Sequence, residues 1–114
     1  MYHDYTIAVV VPAYNEEGLV GRAIETLPEW VDYIIVVDDA SRDGTAEAVR
    51  RYLPRLDRRL HLICHKTNRG VGGAIATGYK WCRDNGVDVA VVMAGDAYSW
   101  GERPEAPLQR RFSG

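Results

Sequence analysis

The sequence predicts an α/β fold: a parallel sheet with helices on both faces and strand order 3-2-1-4. Three observations point there. Apolar, β-branched runs recur at about Ile7–Val11, Tyr33–Val37, Leu60–Cys64 and Val87–Met93. Segments with helical apolar spacing separate these runs. The runs are apolar almost throughout rather than alternating, as strands covered on both faces are.

The first strand runs into Pro12-Ala13-Tyr14-Asn15-Glu16-Glu17. Asn15 is the expected N-cap of the first helix. Glu16 and Glu17 then sit in its first turn, against the positive end of the helix dipole. Leu19, Val20, Ala23, Ile24 and Leu27 make one apolar stripe, and Pro28 stops the helix. The second strand ends in Asp38-Asp39, followed by Ala40-Ser41-Arg42-Asp43-Gly44-Thr45. The second helix is expected over Thr45 to Leu53, with Ala46, Val49 and Leu53 on one face and Pro54 after it. The third strand leads through Lys66-Thr67-Asn68-Arg69-Gly70 to a helix over Gly72–Asp84, closed by Asn85-Gly86. The fourth strand leads to Ala94-Gly95-Asp96.

The chain has 114 residues, which bounds it at one domain. Residues 1–96 carry the alternation, and residues 97–114 have neither helical nor strand periodicity and are expected to form a poorly ordered tail. A net charge of -2 gives no basis for binding nucleic acid. No apolar run approaches the roughly 20 residues of a spanning helix, and the first residues lack the basic start of a signal peptide. Cys64 and Cys82 read as buried free thiols in a reducing, cytoplasmic compartment.

Ligands of open α/β sheets sit outside the carboxyl ends of the strands. The chemistry is therefore expected at three strand ends. Asp38 and Asp39 end the second strand. Adjacent side chains on a strand point opposite ways, so one accepts from a ligand while the other braces the loop. A carboxylate acceptor suits the N–H edge of uracil or guanine. The alternative is that both cap the turn before the helix. Asp96, after Gly95, has the setting to hold a divalent cation carrying a diphosphate, because Mg²⁺ commonly takes one or two carboxylates plus phosphate oxygens. The alternative there is a Gly-Asp turn. Arg69 and Gly70 open a helix and could face a phosphate. Gly73, Ala74 and Gly78 read as close-packing positions. The spacing fails both the dinucleotide fingerprint and the P-loop pattern. His3, His61 and His65 show no ligand spacing and read as exposed or packing residues.

Together these segments resemble family 2 glycosyltransferases. Val11-Pro12-Ala13-Tyr14-Asn15-Glu16 resembles the family's first-strand motif. Val36-Val37-Asp38-Asp39-Ala40-Ser41-Arg42-Asp43-Gly44-Thr45 resembles its V-D-D-x-S-x-D-G-T segment. Asn68-Arg69-Gly70 with Gly73-Ala74 and Gly78 resembles its N-x-G-x-x-x-A-x-x-x-G segment. The resemblance implies a GT-A fold, a Rossmann-like nucleotide-binding half. Its ligand would be a nucleoside-diphosphate sugar (a UDP- or GDP-sugar), with Mg²⁺ or Mn²⁺ as cofactor. It implies that Pro12, Ala13 and Tyr14 line the nucleoside pocket and that Glu16 faces the ribose or the loop. Asp39 would accept from the base N–H, and Asp38 would support that loop. Asp96 would match the last carboxylate of the D-x-D metal anchor, whose first Asp is replaced by Ala94. Relatives with this Gly-rich segment imply a polyprenyl phosphate acceptor at the cytoplasmic face of the membrane.

Nothing after Asp96 matches the family's downstream pattern, so the sequence names no general base. The chain reads as the donor-binding half of an enzyme, with self-association expected at an uncovered sheet edge. Two rivals stand beside this. A sugar-nucleotide nucleotidyltransferase would want a Gly-rich, basic loop after the first strand, where Tyr14-Asn15-Glu16-Glu17 is acidic. A non-catalytic nucleotide-binding module fits the missing base.

Overall fold

The computed structural model describes residues 4–56, 58–94 and 97–98. The elements run β1 (Ile7–Ala13), α1 (Glu17–Glu25), β2 (Tyr33–Asp38), α2 (Thr45–Arg50), β3 (Leu60–Cys64), α3 (Gly70–Asp84), β4 (Val89–Ala94) and β5 (Ala97–Tyr98). The sheet order is β3-β2-β1-β4-β5. The first four strands are parallel and keep the expected order, with Val10 opposite Ile35 on one side and Val92 on the other. The fifth strand is a correction. Ala97–Tyr98 pairs antiparallel with Met93 and Ala94, in a segment where no strand was expected. A strand of two residues has no periodicity to read.

Alternation along each strand divides the core into two layers. Val9, Val11, Ile34 and Val36 face one way and pack with Val20, Ile24 and Val49 of α1 and α2. Ala8, Val10, Ile35 and Val37 face the other way and pack with Ala74 and Cys82 of α3. Each fully buried Val or Ile contributes about 1.5–3 kcal/mol. The α3 layer is tight. A Cβ on Gly78 would lie 2.4 Å from Val10 Cγ1, so only glycine lets α3 lie this close to β1.

Several element details differ from the sequence reading. β1 continues through Pro12, which needs no N–H partner there. The Ala13 carbonyl accepts the Asp39 amide on the β2 side, so Pro12 faces the β4 side, where pairing has ended at Val10. Glu16, not Asn15, occupies the N-cap position of α1, without a capping bond from its side chain, and Asn15 has φ +51°, outside the helix. Leu19 is 39% exposed, so the apolar stripe is narrower than expected. Helix α2 is shorter than expected and buries Ala48 rather than Ala46. Helix α3 starts at Gly70, earlier than expected, and ends at Asp84, followed by Asn85 as C-cap and by Gly86 at φ +71°. Both cysteines are free, but Cys64 is exposed. Cys82 is buried, and burial pushes its thiol up to about 12. His61 packs as expected, its ring 4.7 Å from Trp81 and 5.9 Å from Tyr33.

Candidate functional site at the strand ends

Two loops leave the carboxyl ends of β1 and β2 and are laced together. The Asn15 amide donates to Ser41 Oγ at 2.9 Å, and Asn15 Oδ1 accepts the Arg42 amide at 2.8 Å. The Glu16 amide donates to Thr45 Oγ1 at 2.9 Å, and the Glu17 amide donates to Asp43 Oδ2 at 3.2 Å. Glu17 Oε1 accepts the Gly44 amide at 3.0 Å in return. The first amides of α1 are therefore capped by the β2–α2 loop rather than by a residue beside the helix. This gives Ser41, Asp43 and Thr45 their role. They shape the loop after β1. Asn15, tolerant of left-handed backbone, serves the same lacing and is not the N-cap.

The third wall is the start of α3, and Asp39 fixes it. The Asp39 carboxylate is 3% exposed. Its Oδ1 accepts the Arg69 amide at 2.8 Å and lies 2.7 Å from His65 Nδ1. Its Oδ2 accepts the Gly70 amide at 2.8 Å. Gly70 has φ +81°, the left-handed turn that brings this amide round. Asn68 Nδ2 donates to the Asp39 carbonyl at 3.2 Å and completes the clasp. Burial works against the charge on Asp39. The bonds from His65, Arg69 and Gly70 outweigh it and hold the carboxyl below its ordinary value.

His65 is 8% exposed, and its Nε2 lies 2.8 Å from Thr77 Oγ1 on α3. An ionised carboxylate only accepts, so Nδ1 carries a proton. The other ring nitrogen, Nε2, shares its bond with the Thr77 hydroxyl. The sequence reading treated His65 as an ordinary exposed or packing residue and did not single out Thr77. Their partner Asp39 is distant in sequence, 26 positions before His65. The legible signal was a histidine at a strand end in a chain that places its polar groups there.

A cleft of about 390 Å³ opens between these walls. Pro12, Ala13, Tyr14 and Glu16 line it from β1, Asp39 from β2, and Asn68, Gly70, Val71 and Ala74 from the start of α3. That size suits a small-molecule site. Six of the nine residues expected at the site, Pro12, Ala13, Tyr14, Glu16, Asp39 and Gly70, thus line one cleft. Tyr14 is 44% exposed, an aromatic face held open at the rim. Asp38 is buried and points elsewhere, its Oδ1 accepting the Ser41 amide at 3.2 Å. The Arg69 side chain is exposed and does not line the cleft. The Arg69 and Gly70 amides, expected to face a phosphate, are instead taken by Asp39. Asp96 lies outside the described residues. Among the described residues no group of three His, Cys, Asp or Glu side chains could hold a metal ion. No described helix is long and apolar enough to cross a membrane.

The architecture and the chain both have known counterparts. A mannosyltransferase from Pyrobaculum calidifontis, solved in complex with GDP-Man and Mn²⁺, superposes with a TM-score of 0.73 at 29% identity. The match covers 85% of this chain and 29% of that one. Staphylococcus aureus TarS residues 1–349, solved with UDP, gives a TM-score of 0.63 at 27% identity over 80% of this chain and 27% of that one. In sequence, the UDP-N-acetylglucosamine–dolichyl-phosphate N-acetylglucosaminyltransferase of Methanococcus voltae is 32% identical over 82% of this chain. The undecaprenyl-phosphate mannosyltransferase of Micrococcus luteus is 36% identical over 79% of it. This chain spans 42% and 37% of those two relatives. Residues 8–100 match the sequence profile of Glycosyl transferase family 2, reaching past the expected boundary at Asp96. With its β3-β2-β1-β4 sheet and its strand-end cleft, the chain has the GT-A fold and belongs to glycosyl transferase family 2.

Proposed function

We propose that this chain is the donor-binding part of a glycosyltransferase that moves a sugar from a nucleoside-diphosphate sugar to a polyprenyl phosphate. Residues 1–96, extended at the edge by β5, form the nucleotide-sugar-binding unit. The observation that carries the reading is the strand-end cleft, where an aromatic face, Tyr14, and a clasped carboxylate, Asp39, meet on one wall system. Tyr14, with Pro12 and Ala13, offers a surface for the base. Asp39 offers an acceptor for its N–H. Glu16 faces the ribose side, and Asp38 supports the β2–α2 loop through the Ser41 amide. The named relatives that use dolichyl or undecaprenyl phosphate support the choice of acceptor.

Mg²⁺ or Mn²⁺ would be held by Asp96 and the diphosphate oxygens, and would neutralise charge on the leaving group. One carboxylate plus phosphates is a sufficient donor set for such an ion. The acceptor oxygen would displace the nucleoside diphosphate at the anomeric carbon. No general base is assigned. Work at the cytoplasmic face of a membrane would follow from the acceptor. Self-association would use the edge of β4, which β5 pairs only at Met93 and Ala94.

Isothermal titration with UDP and GDP, with and without Mn²⁺, tests the reading. Binding of either nucleotide, tightened by Mn²⁺ in the wild type but not in Asp96→Ala, is expected. Absence of any nucleotide binding by folded protein would end it. Equal affinity with and without Mn²⁺ would remove Asp96 from the site.

A further inference from the structure

Asp39 has a limited number of acceptor positions, and the structure spends most of them. A carboxylate offers about four lone pairs, two on each oxygen. Oδ1 accepts from His65 Nδ1 at 2.7 Å and from the Arg69 amide at 2.8 Å, which fills it. Oδ2 accepts from the Gly70 amide at 2.8 Å and keeps one lone pair. The Asp39 backbone carbonyl is engaged as well, by Asn68 Nδ2. A ligand in the cleft therefore meets one acceptor position on Asp39, not a two-oxygen fork.

Nucleobases differ on this point. Guanine presents N1–H and the exocyclic N2–H side by side and pairs best with both oxygens of a carboxylate. Uracil presents one N–H, at N3, between two carbonyl oxygens. Cytosine has an acceptor at N3 and would face the carboxylate lone pair directly. We infer that the donor cleft selects a uracil nucleotide over a guanine nucleotide, and that His65, anchored by Thr77, is the positioning residue that sets this choice by filling Oδ1 of Asp39. The inference rests on the donor-binding reading above and narrows it to uridine diphosphate sugars.

His65 suits this role because it is held at both ends. Its Nε2 meets Thr77 Oγ1 at 2.8 Å on α3, so the ring bridges the end of β2 to α3. His65 and Asp39 side chains are 3% and 4% exposed, which keeps water from competing for Oδ1. Removing the ring would free a lone pair on Oδ1 and let the carboxylate turn. The site would then accept the two-donor edge of guanine.

Titrations with UDP, GDP and CDP in the presence of Mn²⁺ test this on the wild type and on His65→Ala, His65→Asn and Thr77→Val. The wild type should favour UDP over GDP by about tenfold or more, with CDP weakest. His65→Ala should weaken UDP several-fold and bring the UDP-to-GDP ratio close to one. His65→Asn, which keeps a donor near the Nδ1 position, should recover much of the ratio. Thr77→Val should move it less, in the direction of His65→Ala. A wild type that binds GDP as tightly as UDP would overturn the inference and leave the donor-binding reading intact. A His65→Ala variant that weakens both nucleotides equally would overturn the selecting role of His65. Binding of neither nucleotide would overturn the donor-binding reading and this inference with it. Circular dichroism checks each variant, and if His65→Ala does not fold, His65→Phe, which keeps a ring but no donor, takes its place, and an unchanged UDP-to-GDP ratio there overturns the claim.

Discussion

Two clefts among the described residues are built differently. The strand-end cleft, about 390 Å³, is walled by β1, β2 and the start of α3, and its carboxylate is buried and clasped. The other, about 480 Å³, lies between α1 and α2 and is lined by Glu17, Gly21, Arg22, Arg51, Tyr52 and Arg55 among others. Glu16 lines the first cleft and Glu17 the second, so one peptide bond separates them. The larger cleft has exposed arginines and no buried polar residue in its lining. The smaller one holds its polar groups rigid from three elements. The larger volume has no fixed polar group, while the smaller one joins strand ends to a desolvated carboxylate, the setting in which ligands of open α/β sheets sit.

The sharpest way to break this contrast is to remove Asp39. Asp39→Ala leaves the buried His65 Nδ1–H without its acceptor and takes one from the part-buried Arg69 and Gly70 amides, of which Gly70 keeps Asn68 Oδ1 at 3.0 Å. A stranded buried donor costs about 1–3 kcal/mol and the two part-buried amides add less, so urea unfolding should show a loss of about 2 kcal/mol or more. Folded variant should also bind UDP about 1–3 kcal/mol more weakly. A loss under 1 kcal/mol would mean that the clasp is decoration and that the cleft wall stands without it.

Glycines sharpen the same contrast at a smaller scale. Gly78→Ala drives a methyl to 2.4 Å from Val10 Cγ1, behind the strand-end cleft, and should cost about 1–3 kcal/mol by thermal unfolding. Gly18→Ala, on the α1 side of the larger cleft, meets nothing within 4 Å. It should stabilise by about 0.4–1 kcal/mol, because the unfolded chain loses freedom and the folded one loses nothing. Equal effects at the two positions would show that the α3 layer is no tighter than the α1 face.

Much of this was legible in the sequence, and the limits are physical. The parallel sheet followed from four apolar runs and the handedness of crossovers, and the strand order from bringing three polar strand ends together, none of which depends on fine detail. Six cleft residues are legible, Asp39 from its strand end, Gly70 from a helix start, and Pro12, Ala13, Tyr14 and Glu16 from the family resemblance. Asn15 was misplaced because its side chain answers a loop 27 residues away, while capping rules see only neighbours. His65 was passed over for the same reason, its partner being set by the β2–β3 register, in which Asp38 pairs with Cys64. Arg69 and Gly70 were expected to meet a phosphate because a helix start attracts an anion. The attraction was real, and the anion is Asp39 of the same chain.

The Asp39 clasp also predicts an acid dependence. Its carboxyl titrates below the ordinary value of 3.8, so the folded state holds the charged form better than the unfolded state does. Its contribution is then fully present above about pH 4 and is lost as pH falls through the depressed value. Urea unfolding between pH 5 and pH 3 should show stability falling with pH in the wild type. The fall should be shallower in Asp39→Asn, which has no charge to lose there. The same slope in both proteins would assign the acid sensitivity to other carboxylates, Asp43 first, since its carboxyl is also held low by the Thr45 hydroxyl.

The smallest expected effect tests the larger cleft directly. If the α1–α2 cleft were the nucleotide site, Arg51 and Arg55 would be its phosphate ligands, because guanidinium groups pair with phosphate in charge-assisted bonds. Removing both would then cost tenfold or more in UDP affinity, since bonds to charged groups are worth about 1.5–3 kcal/mol each. If the strand-end cleft is the site, the two arginines are surface residues. Arg55 rests over the Tyr52 ring at 5.4 Å, an exposed contact worth about 0.5–1 kcal/mol, and Tyr52 is separately held by its hydroxyl bond to Glu25 at 2.6 Å. The double variant Arg51→Ala, Arg55→Ala should therefore keep UDP affinity within about twofold and lose at most about 1 kcal/mol of stability. Titration and urea unfolding on the same preparation read both quantities. A tenfold loss of affinity without unfolding would move the nucleotide to the basic cleft and undo the assignment of the strand ends.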